Sequence, residues 1–181
     1  MPVLFRRAYT EPGVEQELTE LLAGILAEGQ AVFLCVGTDK NILDCLGPLT
    51  GTMLQEAADY IPVYGTLDAP IHARNLRPKL REIRSVHPGG LMLAIDACLG
   101  KPDEIGNIKV RRGSLVPGRA LNRPLPAVGD IALTGTVATY QGKKGYYHLT
   151  RGSITPVYHI ARIFSRAIVS AYPEIETADK R

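Results

Sequence analysis

The chain has 181 residues, 45% of them hydrophobic and 22% charged, with a formal net charge of +3; these are ordinary globular values that exclude a disordered or collagen-like chain. The charge is too small and too evenly spread to name a nucleic acid or a membrane as a partner. The three cysteines all lie in or beside apolar stretches, no basic start leads into a long apolar run, and none of the runs approaches the ~20 residues that cross a bilayer, so a soluble, cytoplasmic chain folding as one domain over 1–181 is expected.

Thr10-Glu11-Pro12 reads as a helix start, after which Val14, Leu18, Leu21, Leu22, Ile25 and Leu26 recur at helical spacing until Gly29. Ala31 to Val36 is apolar at every position, the pattern of a strand buried on both faces of a parallel sheet, and Gly37 closes it. Leu46, Leu49, Met53 and Ala57 mark a second helix, and Val63 to Leu67 a second strand. A third helix is predicted from about Asn75 to Arg84, with Pro78 tolerated in its first turn. Leu91 to Ala97 reads as a third strand, apolar until Asp96. Two β-rich segments, Ile105 to Arg111 and Ile131 to Tyr140, are joined by a loop holding Pro117, Gly118, Pro124 and Pro126. Ser153 caps a last helix whose Val157, Ile160, Ala161, Phe164 and Ile168 share a face, and the polar tail 174–181 is expected to fray. Alternating elements of this kind predict an α/β fold, a three-layer sandwich around a mostly parallel sheet, with the site in loops at the carboxyl ends of the strands.

Two such loops carry acids. Asp39 and Asp44 lie between the first buried strand and its helix, and Asp96 ends an apolar run, where a carboxylate is costly unless paired, hydrogen-bonded, protonated or bound to metal. If those strands are neighbours, Asp44 and Asp96 converge, and two close carboxylates that hold one proton can activate water against an amide. The competing reading makes Asp44 a helix N-cap and Asp96 an acceptor of backbone N–H groups. Asp39 is a candidate to assist Asp44 or hold substrate, although a turn-stabilising residue is the simpler reading. Asp68, His72 and Asn75, after the second strand, are candidates to hold substrate, with helix capping the alternative for Asn75. Cys45 and Cys98 have no sequence-local histidine to activate them and read as small hydrophobes. Gly37 and Gly47 fit neither the Walker nor the dinucleotide spacing. Arg111-Arg112 reads as solvated surface and Lys143-Lys144 as a charged hairpin turn.

Val36-Gly37-Thr38-Asp39, Asp44-Cys45-Leu46-Gly47-Pro48-Leu49, Val63 to Leu67, Ala94 to Gly100, Pro117-Gly118 and Val128-Gly129-Asp130-Ile131 occur in an order that resembles the YyaC family of sporulation proteins. That family is similar to the germination protease of spore-forming bacteria, an atypical aspartic peptidase acting on small acid-soluble spore proteins, and more distantly to hydrogenase maturation endopeptidases. The resemblance implies the phosphorylase/hydrolase-like sandwich and places Asp44 and Asp96 on the acidic residues of the germination protease. It implies a sporulation or germination peptidase acting on a protein or peptide substrate in the sporulating cell or spore core, with Asp44 and Asp96 catalytic and no cofactor. In the maturation enzymes the matching positions are metal ligands joined by a histidine; here His72, His87, His148 and His159 do not align to it, so a transition metal is an alternative rather than the expectation. A non-catalytic peptide-binding or regulatory sporulation protein on the same scaffold is the other alternative. A homodimer is the default assembly because closed symmetric pairs are common.

Overall fold

The computed structural model describes residues 2–117, 125–139 and 153–173. The predicted Lys143-Lys144 turn, Gly118, Pro124, Tyr140, His148 and the tail 174–181 fall outside them. The strands are β1 (Val3–Ala8), β2 (Ala31–Cys35), β3 (Val63–Tyr64), β4 (Leu91–Gly100), β5 (Asn107–Arg112) and β6 (Ile131–Thr139). The helices are α1 (Val14–Leu26), α2 (Leu46–Ala57), α3 (Leu76–Val86) and α4 (Ile154–Ala171). One six-stranded sheet runs β1-β5-β6-β4-β2-β3. Its β3-β2-β4-β6 part is parallel, and β5 and β1 continue it antiparallel.

Residue parity assigns the two faces, because successive side chains of a strand point to opposite sides. Phe33 and Cys35 of β2, Leu93 and Ile95 of β4, and Leu133 of β6 join the larger core with α1, α2 and α4. Val32 and Leu34, Met92 and Ala94, and Ala132 join a smaller core closed by Leu76, Leu80 and Ile83 of α3. The result is the three-layer sandwich, three helices on one face and α3 on the other. β2 and β4 are buried on both faces, which is why neither alternates polar with apolar.

Three boundaries depart from the sequence reading. The first helix starts at Val14 behind Gly13, at φ 76, rather than at Thr10, because Glu11 turns back to accept from the Ala8 amide and the Arg7 guanidinium. β1 precedes it at the sheet edge, where one buried residue, Phe5, leaves too little apolar pattern to mark a strand. The second predicted strand shortens to Val63–Tyr64: the chain leaves the sheet at Gly65, φ 95, and the Leu67 amide donates to Thr52 Oγ1 instead of a strand.

α2 lies against the sheet through Gly47 and Gly51, one turn apart. A Cβ at Gly47 would collide with the Val36 carbonyl, and one at Gly51 with the Gly65 carbonyl. This contact brings the start of α2 onto the carboxyl end of β2. The predicted cap at Ser153 is present, its side chain accepting from the Thr155 amide at 3.1 Å. Among the described residues no helix is long and apolar enough to cross a membrane.

Candidate functional site

β2 runs through α2 to β3 on one side, while β3 returns through α3, on the other face, to β4 on the far side of β2. Strand order therefore reverses between β2 and β4, and open α/β sheets bind ligands in the crevice outside the carboxyl ends at such a point. Asp44 and Asp96 flank this crevice.

Asp44 ends a short 3-10 turn, Ile42–Asp44, whose cap is Asn41: the Asn41 side chain accepts from the Leu43 amide at 3.0 Å. The cap residue of α2 is Cys45, with no side-chain cap bond, so the capping alternative for Asp44 does not hold. Its backbone carbonyl instead accepts from the Thr38 amide at 2.9 Å, folding the Gly37–Lys40 loop over the turn. The half-buried carboxyl has its pKa raised to about 6 by desolvation.

Asp96 lies within β4, not at its end; the strand continues to Gly100 with a bulge between Cys98 and Leu99. By parity Asp96 follows Met92 and Ala94 onto the α3 face. Its side chain is buried, at 7% exposure. Burial, then the charge of Asp44, push its pKa well above the carboxylate range, and a bond from the Ala97 amide only partly offsets them. The two acids are thus electrostatic neighbours, Asp96 the more deeply buried. While Asp96 is neutral it places no charge on Asp44; once Asp44 is ionised, its charge opposes loss of the second proton.

The flanking rows supply groups that sequence inspection did not single out. Thr134 of β6 stands in register with Asp96 and with Lys109 of β5, and Thr136 with Cys98. Cys98 Sγ lies 3.4 Å from Thr136 Oγ1. The Thr-Gly-Thr alternation at 134–136 on a strand beside the Asp96 strand was the available signal. Burial raises the thiols of Cys45 and Cys98 above their ordinary value, and the Cys45 thiol donates to the Ile42 carbonyl at 3.2 Å. Neither thiol is prepared as a nucleophile.

The turn after β3 reaches the same edge. Ile71 bridges to Val36, and the Gly37 amide donates to the Ile71 carbonyl at 2.8 Å. The Val36 amide in turn donates to the Ile95 carbonyl at 2.8 Å. Ile71, Val36 and the Ile95–Asp96 peptide therefore form one row, with Ile71 about 10 Å from β4 at two strand spacings. His72 follows on the rim, its Nδ1 accepting from the Arg74 amide. Asn75 Oδ1 accepts from the His72 amide at 2.8 Å and Nδ2 donates to the Pro70 carbonyl at 2.9 Å. Both ends of Asn75 thus close this turn, and it makes no side-chain cap bond to α3. Asp68 is exposed on the Thr66–Ala69 turn, and Asp39 is exposed on the Gly37–Lys40 loop. The crevice brings together Asp44 and Asp96; His72 stands at its rim.

The other described histidines lie in contacts of their own: His87 Nε2 is 2.9 Å from the Tyr64 hydroxyl, and His159 stacks on Tyr9 at 5.2 Å. Among the described residues no three His, Cys, Asp or Glu side chains come together as a metal-holding group. The motif residue Asp130 has a structural part: its Oδ2 accepts from the Met92 amide at 2.9 Å and its amide donates to the Met92 carbonyl at 2.7 Å, clamping β6 to β4. Arg111 is half-buried, with Nη2 donating to the Ser114 carbonyl at 2.7 Å, while exposed Arg112 pairs with Glu28 at 2.6 Å; the surface reading applies to Arg112 alone.

The family model described as Protein of unknown function (DUF1256) matches residues 6–167. The curated "Uncharacterized protein YyaC" of Bacillus subtilis (strain 168) is 30% identical over 165 residues, covering 89% of this chain and 80% of that protein.

Proposed function

This chain belongs to the YyaC family, DUF1256, and from that premise we propose that it is a peptidase in which Asp44 and Asp96 share a proton and activate water against a peptide carbonyl. The observation that carries the reading is the pair itself: two neighbouring acids at the strand-order reversal, both with pKa values raised by burial, Asp96 the more deeply buried and also facing the charge of Asp44. Environments that separate the pKa values of two close acids assign one as base and one as acid.

Asp44, the first to ionise, is the base. It takes a proton from water as the water oxygen adds to the carbonyl carbon, while protonated Asp96 donates to the carbonyl oxygen. The tetrahedral species collapses as Asp44 returns its proton to the departing amine, the C–N bond breaks, and Asp96 recovers its proton from the hydroxyl as the carboxyl product forms. Thr134 and Thr136 border this path and offer hydroxyls to the substrate backbone. No step is routed through a metal. The resemblance to the germination protease supports a polypeptide substrate, with a spore protein as the first class to try.

The test is mass spectrometry of spore-protein extract incubated with wild type beside the Asp44→Asn, Asp96→Asn variant, with and without chelator. New peptides from wild type alone, unaffected by chelator, are expected. Products from both proteins would place the activity elsewhere, chelator-sensitive products would replace the shared proton with a metal, and binding of the extract proteins without cleavage would favour a non-catalytic peptide-binding protein. With a cleavable substrate, activity should rise as pH passes about 6, where Asp44 ionises, and fall at higher pH where Asp96 loses its proton. Asp96→Asn should lower turnover by roughly 100-fold or more, the usual contribution of general acid catalysis.

A further inference from the structure

We propose that the arginine stripe of α3 docks an acidic polypeptide segment, so that a substrate held by its carboxylates on this helix enters the Asp44–Asp96 crevice. Arg77, Arg81 and Arg84 recur at i, i+4 and i+7 and lie on one face of α3, and Arg74 stands in the turn before it; all four are exposed. Leu76, Leu80 and Ile83 face the sheet, so the stripe is turned outward. The one acid of the helix, Glu82, pairs with Lys79 at 2.8 Å. Among the described residues no carboxylate lies within ion-pair distance of Arg74, Arg81 or Arg84. Arg77 shares the face but has contacts of its own; the other three carry the charge available to a partner.

Like charges a turn apart destabilise the helix that bears them. Three arginines elsewhere on this surface are matched, Arg7 with Glu11 and Glu17, Arg112 with Glu28, and Arg6 with Glu104. On α3 no described acid matches Arg74, Arg81 or Arg84, which leaves their charge open to the carboxylates of a partner. Guanidinium groups bind carboxylates through paired, planar hydrogen bonds, which suits arginine rather than lysine to this task.

Position favours a polypeptide over a nucleic acid. Ile71 is joined to Val36 in the row that ends at Asp96, and Arg74 follows three residues later on the rim, so the stripe starts at the crevice and runs away from it along α3. The exposed residues of α3 include no aromatic ring on which a base could stack, and the chain as a whole carries only +3. The inference rests on reading the crevice as a peptide site, but docking does not require turnover.

The experiment is fluorescence anisotropy of a labelled Glu-rich peptide of about a dozen residues, with a Gln-rich peptide of the same length as control, added to the full chain at low and raised salt. Wild type and Asp44→Asn, Asp96→Asn should bind it alike, more weakly as salt rises. Arg81→Gln, Arg84→Gln should bind about tenfold more weakly, while Arg6→Gln, Arg166→Gln, which removes the same charge away from α3, should leave binding unchanged; thermal melts confirm that each variant is folded. No binding by wild type, equal loss in the two arginine variants, or displacement of the peptide by a DNA duplex at lower charge concentration than by unlabelled peptide would overturn the proposal. Binding of the peptide through α3 establishes docking whether or not it is cleaved; failure of the extract digestion alone would remove the peptidase reading.

Discussion

Asp96 is held where an ionised carboxylate is unwelcome, and its neighbour Asp44 adds to that cost. A folded-state pKa above the ordinary value of 3.8 means that the native protein binds the proton more tightly than the unfolded chain. Stability from this source is therefore fully present at low pH and is lost as pH rises through the folded value, between about 4 and about 6 for Asp44. The loss is on the order of 3 kcal/mol for a group shifted by about two units, with a further loss wherever Asp96 ionises. The Asp44→Asn, Asp96→Asn variant removes the ionisations and should be more stable than wild type at pH 7.5, with the gap narrowing toward pH 4.5; urea unfolding at both values checks this, and a gap that widens in acid would refute it. Both aspartates were legible as candidates from their places beside an apolar strand, because a charge at the end of such a run is costly anywhere. The difference between them was not legible, since it depends on Asp96 lying inside a strand that continues to Gly100 and on a charge more than fifty positions away.

Helix α2 shows how an element positions a site without contributing a side chain to it. Gly47 and Gly51 let its first turns approach the carboxyl end of β2, which fixes the turn that carries Asp44. Gly47→Ala should destabilise by on the order of 3 kcal/mol, since a backbone carbonyl and not a flexible side chain must give way. Gly24→Ala is the matched control: Gly24 sits inside α1 with open space around it, and the substitution should stabilise by ~0.5–1 kcal/mol through helix propensity and chain entropy. Thermal unfolding of the two variants should move in opposite directions. α1, α3 and α4 were readable to within a few residues because their apolar periodicity has a single core face to answer to. β3 was read as a strand but carried three residues too far, and β1 was not read at all, because an edge strand with one buried residue leaves little pattern and its pairing depends on a partner distant in the chain.

At the scale of the molecule, the parallel strands β2, β4 and β6 lie inside the sheet between two apolar layers, while β1 and β3 form its edges. Amide exchange should be slowest in β2, β4 and β6 and fastest among the strands in β3, which has two residues to hold it; early exchange of β4 would mean that the Asp96 strand opens on its own. α4 joins the larger core through Phe164, fully buried, and Phe164→Ala should cost ~3–5 kcal/mol in denaturant unfolding, with little direct effect on the crevice. The order of apolar runs, the Ser153 cap and the two acids beside buried strands were determined by sequence alone, since each is a local consequence of burial and backbone chemistry. Tertiary structure alone decided that β2 and β4 are neighbours with the reversal of strand order between them, that Asp44 raises the proton affinity of Asp96, and that the arginines of α3 start at the same rim. These are statements about distances between segments far apart in the chain, which no local preference contains.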